Sequence, residues 1–299
     1  MSHVATLISN PAEPAVDSAL VARSARLLPG AGEANLLKPG VAADIPFDGT
    51  GIADMTALTA TLREALAGQP VDLFVQKGDG RRKRLLLADM DSTMIGQECI
   101  DELAAELGLK DKIAAITERA MRGEIEFEPA LRERVGALKG LPVATIDHVI
   151  AERITLTPGG RTLIQTMKAN GARCALVSGG FTHFTNAIAA AIGFDENHAN
   201  TLETDGDMLA GTVREPILGQ DAKRSHLHRL REELGLGAHE TMAVGDGAND
   251  LAMIRDAGLG VAYHAKPAVA AQAAARIDHG DLTALLYLQG YCEADFRAD

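Results

Sequence analysis

Apolar and polar positions follow two different rhythms along the chain. Up to about residue 80 the apolar runs are short. Val4–Ser9 reads as a strand, and Pro14–Leu27 has helical spacing. Ala34–Leu37 and Val41–Phe47 read as two strands broken by Pro39-Gly40. Met55–Ala67 forms an amphipathic pattern of helical period, and Val71–Gln76 reads as a strand. The order β-α-β-β-α-β is the ferredoxin-like plan. Gly78, Asp79 and Gly80 then interrupt the pattern, and Arg81, Arg82, Lys83 and Arg84 follow. So short a basic run in an acidic chain reads as a solvated junction between domains 1–80 and 81–299.

From Arg84 onward, strands alternate with helices. Leu85–Ala88, Arg173–Val177, Met242–Val244, Leu259–Ala262 and Ala275–Asp278 are the expected strands. Ile164–Asn170, His183–Ala191, Lys223–Leu234 and Asp250–Asp256 are the helices between them. This alternation predicts an α/β fold, a mostly parallel sheet with helices on both faces. A helical insert, about 96–155, separates the first two strands. Thr201–Thr204 and Met208–Val213 flank Asp205-Gly206-Asp207, a hairpin signal.

Composition narrows the partners. Over 299 residues the net charge is -12, and aromatics make up 3% with no Trp. An acidic surface without stacking rings argues against nucleic acid and against anionic membrane surfaces. No stretch has the length of a membrane-spanning helix, and the N-terminus lacks the basic and then apolar order of a secretory leader. Cys99, Cys174 and Cys292 are widely spaced and form no CxxC pair, which fits reduced thiols and a cytoplasmic location. The histidines are read as forming no metal-binding array, which argues against zinc. His183 reads as a surface histidine at a helix start.

Chemistry enters where apolar strands end. In a parallel sheet, ligands bind beyond the carboxyl ends of the strands. Leu85–Ala88 delivers Asp89 to that rim, and Asp91 lies two residues on. Alone, this could be an Asx turn before a helix. The strand ending at Val177 is followed by Ser178-Gly179-Gly180, where glycines let backbone N–H groups approach a ligand. The strand ending at Val244 is followed by Gly245-Asp246-Gly247-Ala248-Asn249-Asp250. Asp250 alone could be a helix cap, and Lys223 alone a surface lysine. Together, carboxylates crowded at one rim require a cation, and oxygen ligands suit Mg²⁺. A hydroxyl, glycine amides and a lysine supply donors for phosphate oxygens. The combination points to phosphoryl transfer.

The order DxD, Ser, Lys and GDGxND resembles the haloacid dehalogenase superfamily over about residues 84–290. DMDSTMIGQE, FEPALRERV, VSGGF and GDGAND resemble its phosphoserine phosphatase family more specifically. The resemblance implies a Rossmannoid parallel sheet with a helical cap insert. It implies Mg²⁺-dependent hydrolysis of O-phospho-L-serine to L-serine and phosphate, the last step of serine biosynthesis. By the same resemblance Asp89 is the nucleophile that forms an aspartyl-phosphate, and Asp91 is the general acid and base. Mg²⁺ is held by the Asp89 and Asp246 carboxylates and the Asp91 backbone carbonyl. Ser178, Gly179 and Lys223 hold the phosphoryl oxygens, and Asn249 meets the phosphate side of the substrate. Asp250 orients Lys223 or a metal-bound water. Glu98 matches the position that meets the substrate ammonium, and Arg134 the one that grips its carboxylate. Met121 and Phe127 match apolar lid contacts. Read without the resemblance, Glu98 is a solvated helix residue and Arg134 pairs with Glu133 or Glu128 at the surface.

Two other functions fit parts of this pattern. One is a phosphatase or phosphotransferase for another small phosphate ester, which would leave Glu98 and Arg134 without partners. The other is an amino-acid sensor or scaffold with a degenerate core, against which the intact acidic and basic set counts heavily. Residues 1–80 resemble an ACT domain in plan, which implies binding or association, including a homodimer. The loop Asn10–Pro14 lacks the glycine such domains often use to hold a ligand. All the residues assigned to chemistry lie between Asp89 and Asp250, so residues from about Arg81 are expected to fold and act without the first 80, unless apolar faces of Met55–Ala67 and Val71–Gln76 are buried against the core.

Overall fold

The structure, a computed structural model, describes residues 1–297; the side chain of Met121 also lies outside the described residues. The chain begins with β1 (His3–Ser9), α1 (Ser18–Ala25), β2 (Asn35–Lys38), β3 (Ala42–Phe47), α2 (Met55–Ala65) and β4 (Val71–Lys77). The strands form one antiparallel sheet in the order β2-β3-β1-β4, the ferredoxin-like arrangement. Strand periodicity gives this sheet two apolar faces. Ala5, Leu7, Ala43, Ile45, Phe47 and Leu73 pack with Leu20, Val21, Leu62 and Leu66 of the two helices and their caps. The alternate residues Ile8 and Ala42, with Leu37 and Val41, instead join the main core of the molecule.

The second part starts with β5 (Leu85–Ala88). The insert follows as α3 (Cys99–Ala105), α4 (Lys110–Met121), α5 (Phe127–Gly136) and α6 (Ala144–Glu152). The chain continues through α7 (Gly160–Ala169), β6 (Arg173–Phe181), α8 (Thr182–Ile192), β7 (Glu196–Asn200), the hairpin β8 (Leu202–Asp205) and β9 (Met208–Val213), α9 (Gln220–Glu233) and β10 (Thr241–Gly245). It ends with α10 (Leu251–Asp256), β11 (Leu259–Tyr263), α11 (Pro267–Ala270), β12 (Ala275–Ile277) and α12 (Ala284–Leu288). Six parallel strands form the large sheet in the order β12-β11-β10-β5-β6-β7. The insert leaves and re-enters through a narrow neck, where Gly96 N–H donates to Thr155 O at 3.0 Å and Thr157 N–H to Met94 O at 3.0 Å.

Strand β7, absent from the sequence expectation, reads Glu-Asn-His-Ala-Asn and carries no apolar run. Polar bonds hold it instead. Thr185 Oγ1 donates to Asn197 Oδ1 at 2.7 Å, and Asn200 Nδ2 donates to the Gly179 carbonyl at 2.8 Å. An edge position needs less burial, so the strand tolerates this composition.

The basic run after Gly80 is only half solvated: Arg82 and Arg84 are exposed, whereas Arg81 and Lys83 turn inward. Arg81 is nearly buried and joins the N-terminal sheet to α12. Its guanidinium meets Asp44 of β3 at 2.5 and 3.1 Å, and also donates to the Tyr287 carbonyl at 3.0 Å and the Leu288 carbonyl at 3.1 Å. Thr6 Oγ1 donates to Asp44 Oδ1 at 2.6 Å. Lys83 is buried too and donates to the His239 carbonyl at 2.8 Å. Burial lowers its pKa from the ordinary lysine value. Further along the interface, the buried Asp72 carboxylate accepts backbone N–H groups of Asp278 and Gly280, both at 2.8 Å. Both sheets thus share an apolar face and a set of buried charges, and this argues against the N-terminal part being freely separable.

Removing one partner of a buried ion pair strands the other. Asp44→Ala is therefore expected to cost about 3–5 kcal/mol of stability in urea unfolding. A loss below about 1 kcal/mol, the scale of a surface pair, would show that Arg81 is not a buried junction.

Candidate active site

Three neighbouring strands, β10, β5 and β6, end side by side at one rim. Their register pairs Ala88 with both Val244 and Leu176. Asp89, Ser178 and Asp246 therefore lie just beyond the residues that pair β5 with its two neighbours. Leu85, Leu86, Leu87 and Ala88 are fully buried. Burying each leucine contributes on the order of 2 kcal/mol, enough to fix a strand that carries an acid at its tip.

Asp89 is held on one oxygen. Its Oδ1 lies 2.7 Å from Lys223 Nζ and accepts the Met90 N–H at 2.8 Å. Lys223 Nζ also lies 2.6 Å from Asp250 Oδ1. All three side chains are buried. Burial opposes the lysine charge, but the Asp250 and Asp89 carboxylates outweigh it and hold the pKa above the ordinary value. Asp250 Oδ2 accepts the Gly247 N–H at 3.1 Å. A Cβ at Gly245 would stand 2.3 Å from Asp250 Cγ, so only glycine allows this approach.

Asp91 Oδ1 accepts the Cys99 N–H at 2.8 Å, and its Oδ2 lies 3.2 Å from Ser178 Oγ. Burial, reinforced by the Asp89 charge, pushes its pKa up. Directly after Asp91, Ser92 adopts φ 52°, a left-handed conformation costly for a residue with a side chain. That turn lets Ser92 Oγ donate to Glu98 Oε1 at 2.6 Å. Burial and the nearby Asp91 push the Glu98 pKa up to about 8. Nothing in the sequence pattern marks Ser92 as the residue that holds Glu98.

A cavity of about 310 Å³ opens on this rim. Asp89, Asp91, Glu98, Arg134, Ser178, Gly179 and Asn249 all line it, with Phe127, Gly180, Gln220 and Thr117. Lys223, Asp246 and Asp250 lie behind this lining. The insert forms the opposite wall. The Phe127 ring sits against Gly179, where a Cβ would come within 2.8 Å of it. Lys266 Nζ, on the core side, reaches Glu118 Oε2 of α4 at 3.1 Å. Met121, expected as a second apolar lid contact, has its side chain outside the described residues.

Arg134 is buried, 5% exposed, and pairs with neither Glu133 nor Glu128. The surface alternative for this residue is overturned: its face of α5 turns inward with Ala130, Leu131 and Val135. Glu98 is half-buried at the start of α3 and lines the cavity, not a solvated face. The side-chain oxygen of Asn249 is buried without a partner among the described residues.

Ligand oxygens of Asp89, Asp246 and Asp250 lie within 4.8 Å of one another. Asp246 is 3% exposed and has no cationic partner among the described residues; its nearest polar contact is Thr93 Oγ1 at 3.5 Å. Burial, with the charges of Glu98, Asp250 and Asp89, drives its pKa well above the ordinary value. An all-oxygen set this crowded and this short of positive charge fits a hard divalent cation. The histidines offer no comparable set. His226-Leu227-His228 is an HxH pair, contrary to the expectation of no such array, but the two rings diverge. His228 Nε2 lies 2.9 Å from Asp256, whereas His226 stacks on His198 with centroids 4.0 Å apart. His183 Nδ1 is buried without a partner among the described residues, and the residue is half-buried, not a surface one.

A family model described as haloacid dehalogenase-like hydrolase matches residues 86–255. A probable phosphoserine phosphatase of Schizosaccharomyces pombe is 47% identical over 214 residues, covering 71% of this chain and 72% of that protein. A haloacid dehalogenase-family hydrolase from Salmonella enterica serovar Typhi has a solved structure with TM-score 0.83 at 30% identity, covering 96% of this chain and 97% of that one. A phosphoserine phosphatase solved as a phospho-aspartyl intermediate analogue gives TM-score 0.66 at 39% identity, over 69% of this chain and 98% of that one. The carboxylate-rich rim thus has relatives in both sequence and fold, and the chain belongs to the haloacid dehalogenase-like hydrolases.

Proposed function

We propose that this protein hydrolyses O-phospho-L-serine to L-serine and phosphate, with Mg²⁺ as cofactor. One observation carries the reading: a single cavity joins the Asp89 and Asp91 carboxylates at the rim to Glu98 and Arg134, an acid and a base suited to an ammonium and a carboxylate, and an arriving ammonium would favour the ionised form of Glu98. A phosphate ester without those two groups would leave both side chains uncompensated. The relatives named phosphoserine phosphatase support the same substrate.

In this mechanism the Asp89 carboxylate, pinned on one oxygen by Lys223 and the Met90 N–H, attacks the phosphorus and forms an aspartyl-phosphate. The covalent intermediate divides one hard displacement into two easier ones. Asp91, favoured in its protonated form by burial, gives its proton to the departing serine oxygen. It then takes a proton from the water that cleaves the aspartyl-phosphate. The Ser178 hydroxyl, the Gly179 N–H, Lys223 and Asn249 hold the phosphoryl oxygens, while Asp250 keeps Lys223 aimed at them. The Asp89 and Asp246 carboxylates and the Asp91 carbonyl would hold Mg²⁺, which would supply the positive charge that lets an anion attack an anion. The helices α3, α4 and α5 cover the cavity and limit access of bulk water.

The test is phosphate release from phosphoserine, with and without a chelator. Asp89→Asn removes the attacking anion at constant shape, and the rate is expected to fall by at least about a thousandfold. Chelated wild type is expected to stop and to recover when Mg²⁺ is added back. Full activity in either case would contradict the mechanism.

Selectivity has its own measurement. Arg134→Ala is expected to lower kcat/KM for phosphoserine by roughly 2–5 kcal/mol in transition-state terms, as for a buried charge pair. Phosphoethanolamine lacks the carboxylate and should lose far less. Equal losses for both would remove Arg134 from carboxylate recognition.

A further inference from the structure

The three helices that meet around Arg134 share one polar chain. Arg134 Nη1, on α5, donates to Thr117 Oγ1 of α4 at 3.0 Å. Thr117 Oγ1 lies 2.7 Å from Asp101 Oδ1 of α3. Arg134 Nε donates to the Ala130 carbonyl at 3.1 Å. Arg134, Thr117 and Asp101 are all buried.

The chemistry of a hydroxyl fixes the direction of this chain. Guanidinium offers donors only, so Thr117 must accept from Arg134. Its single hydrogen then goes elsewhere, to Asp101 or to the Ile113 carbonyl at 3.1 Å. The Asp101 carboxyl is the closer acceptor; burial raises its pKa, and the Thr117 hydrogen bond and the Arg134 charge act against that rise. Asp101 does not itself pair with Arg134. A direct carboxylate would occupy the guanidinium fork in place of a ligand. With a threonine between them, Asp101 draws Arg134 into place and leaves Nη2 free for a ligand: Nη2 has no acceptor among the described residues, and Arg134 lines the cavity.

The geometry points to Thr117 and Asp101 as positioning residues for substrate selection: a relay that orders Arg134 before a ligand carboxylate arrives. This rests on the assignment of Arg134 to the carboxylate of phosphoserine. An arginine ordered in advance loses less side-chain entropy on binding, so the relay acts on KM more than on kcat.

The experiment compares phosphoserine with phosphoethanolamine for the full-length enzyme and four variants. Thr117→Val keeps the shape and removes the hydroxyl. It is expected to raise KM for phosphoserine about tenfold, the scale of one hydrogen bond to a charged group, and to lower the phosphoserine-to-phosphoethanolamine ratio of kcat/KM to match. Thr117→Ser restores the hydroxyl and should return that ratio close to wild type. Asp101→Asn should move the ratio in the same direction as Thr117→Val, by less. Arg134→Ala reports on the underlying assignment separately. If it changes the ratio while Thr117→Val and Asp101→Asn do not, the relay is wrong and the assignment stands. If Thr117→Val depresses both substrates equally, the hydroxyl holds the helices together and the relay is likewise wrong. If Arg134→Ala leaves the ratio unchanged, the carboxylate assignment itself fails.

Discussion

Everything at the rim depends on one constraint: carboxylates buried close together must be balanced by positive charge. Asp89, Asp246 and Asp250 bring oxygens within 4.8 Å of one another. Lys223 is the cation held among them, 2.7 Å from Asp89 and 2.6 Å from Asp250. Like charges at such distances repel strongly in a low-dielectric interior. The lysine offsets part of that repulsion but forms its ion pairs with Asp89 and Asp250, and its weaker pull on Asp246 leaves a demand for a further cation. The same crowding that destabilises the free site suits it to a hard divalent cation.

Such a cluster persists only if the surrounding fold overrides its cost. The central strands do so with fully buried leucine and alanine side chains, and the neighbouring strands in register place the acids at the same height. The N-terminal sheet adds support from the far side, with one apolar face turned to the main core and Arg81 bonded to both parts. The insert completes the site from above. It is tied to the body at its neck and touches the core again at Phe127 and Glu118.

Much of this was legible in the sequence, for physical reasons that differ by element. Strands β5 and β10 announce themselves because buried parallel strands are continuous apolar runs. The acids at their ends stand out because carboxylates directly after such runs are rarely placed there by packing alone. Strand β7 was not legible, since its polar residues are satisfied by side-chain bonds to β6 and α8 that no period reveals. The burial of Arg81 and Lys83 was hidden for a similar reason. Basic residues in a row look solvated until Asp44 and the carbonyls of the α12 region come into contact with them. Arg134 shows the limit most clearly. Only the fold shows that its face of α5 turns inward, and its contact with Thr117 depends on the crossing of two helices. Ser92 gave no local signal either, because a left-handed serine cannot be told from an ordinary one by residue type.

The central claim is that Asp89 carries the phosphoryl group during turnover. The direct measurement is an acid quench of the enzyme during turnover of phosphoserine, followed by mass spectrometry of its peptides after borohydride reduction. The account predicts an acyl phosphate on Asp89, reduced by borohydride to homoserine at that position alone. Turnover without any modified aspartate, or with homoserine at Asp91 or Asp246 instead, would contradict it.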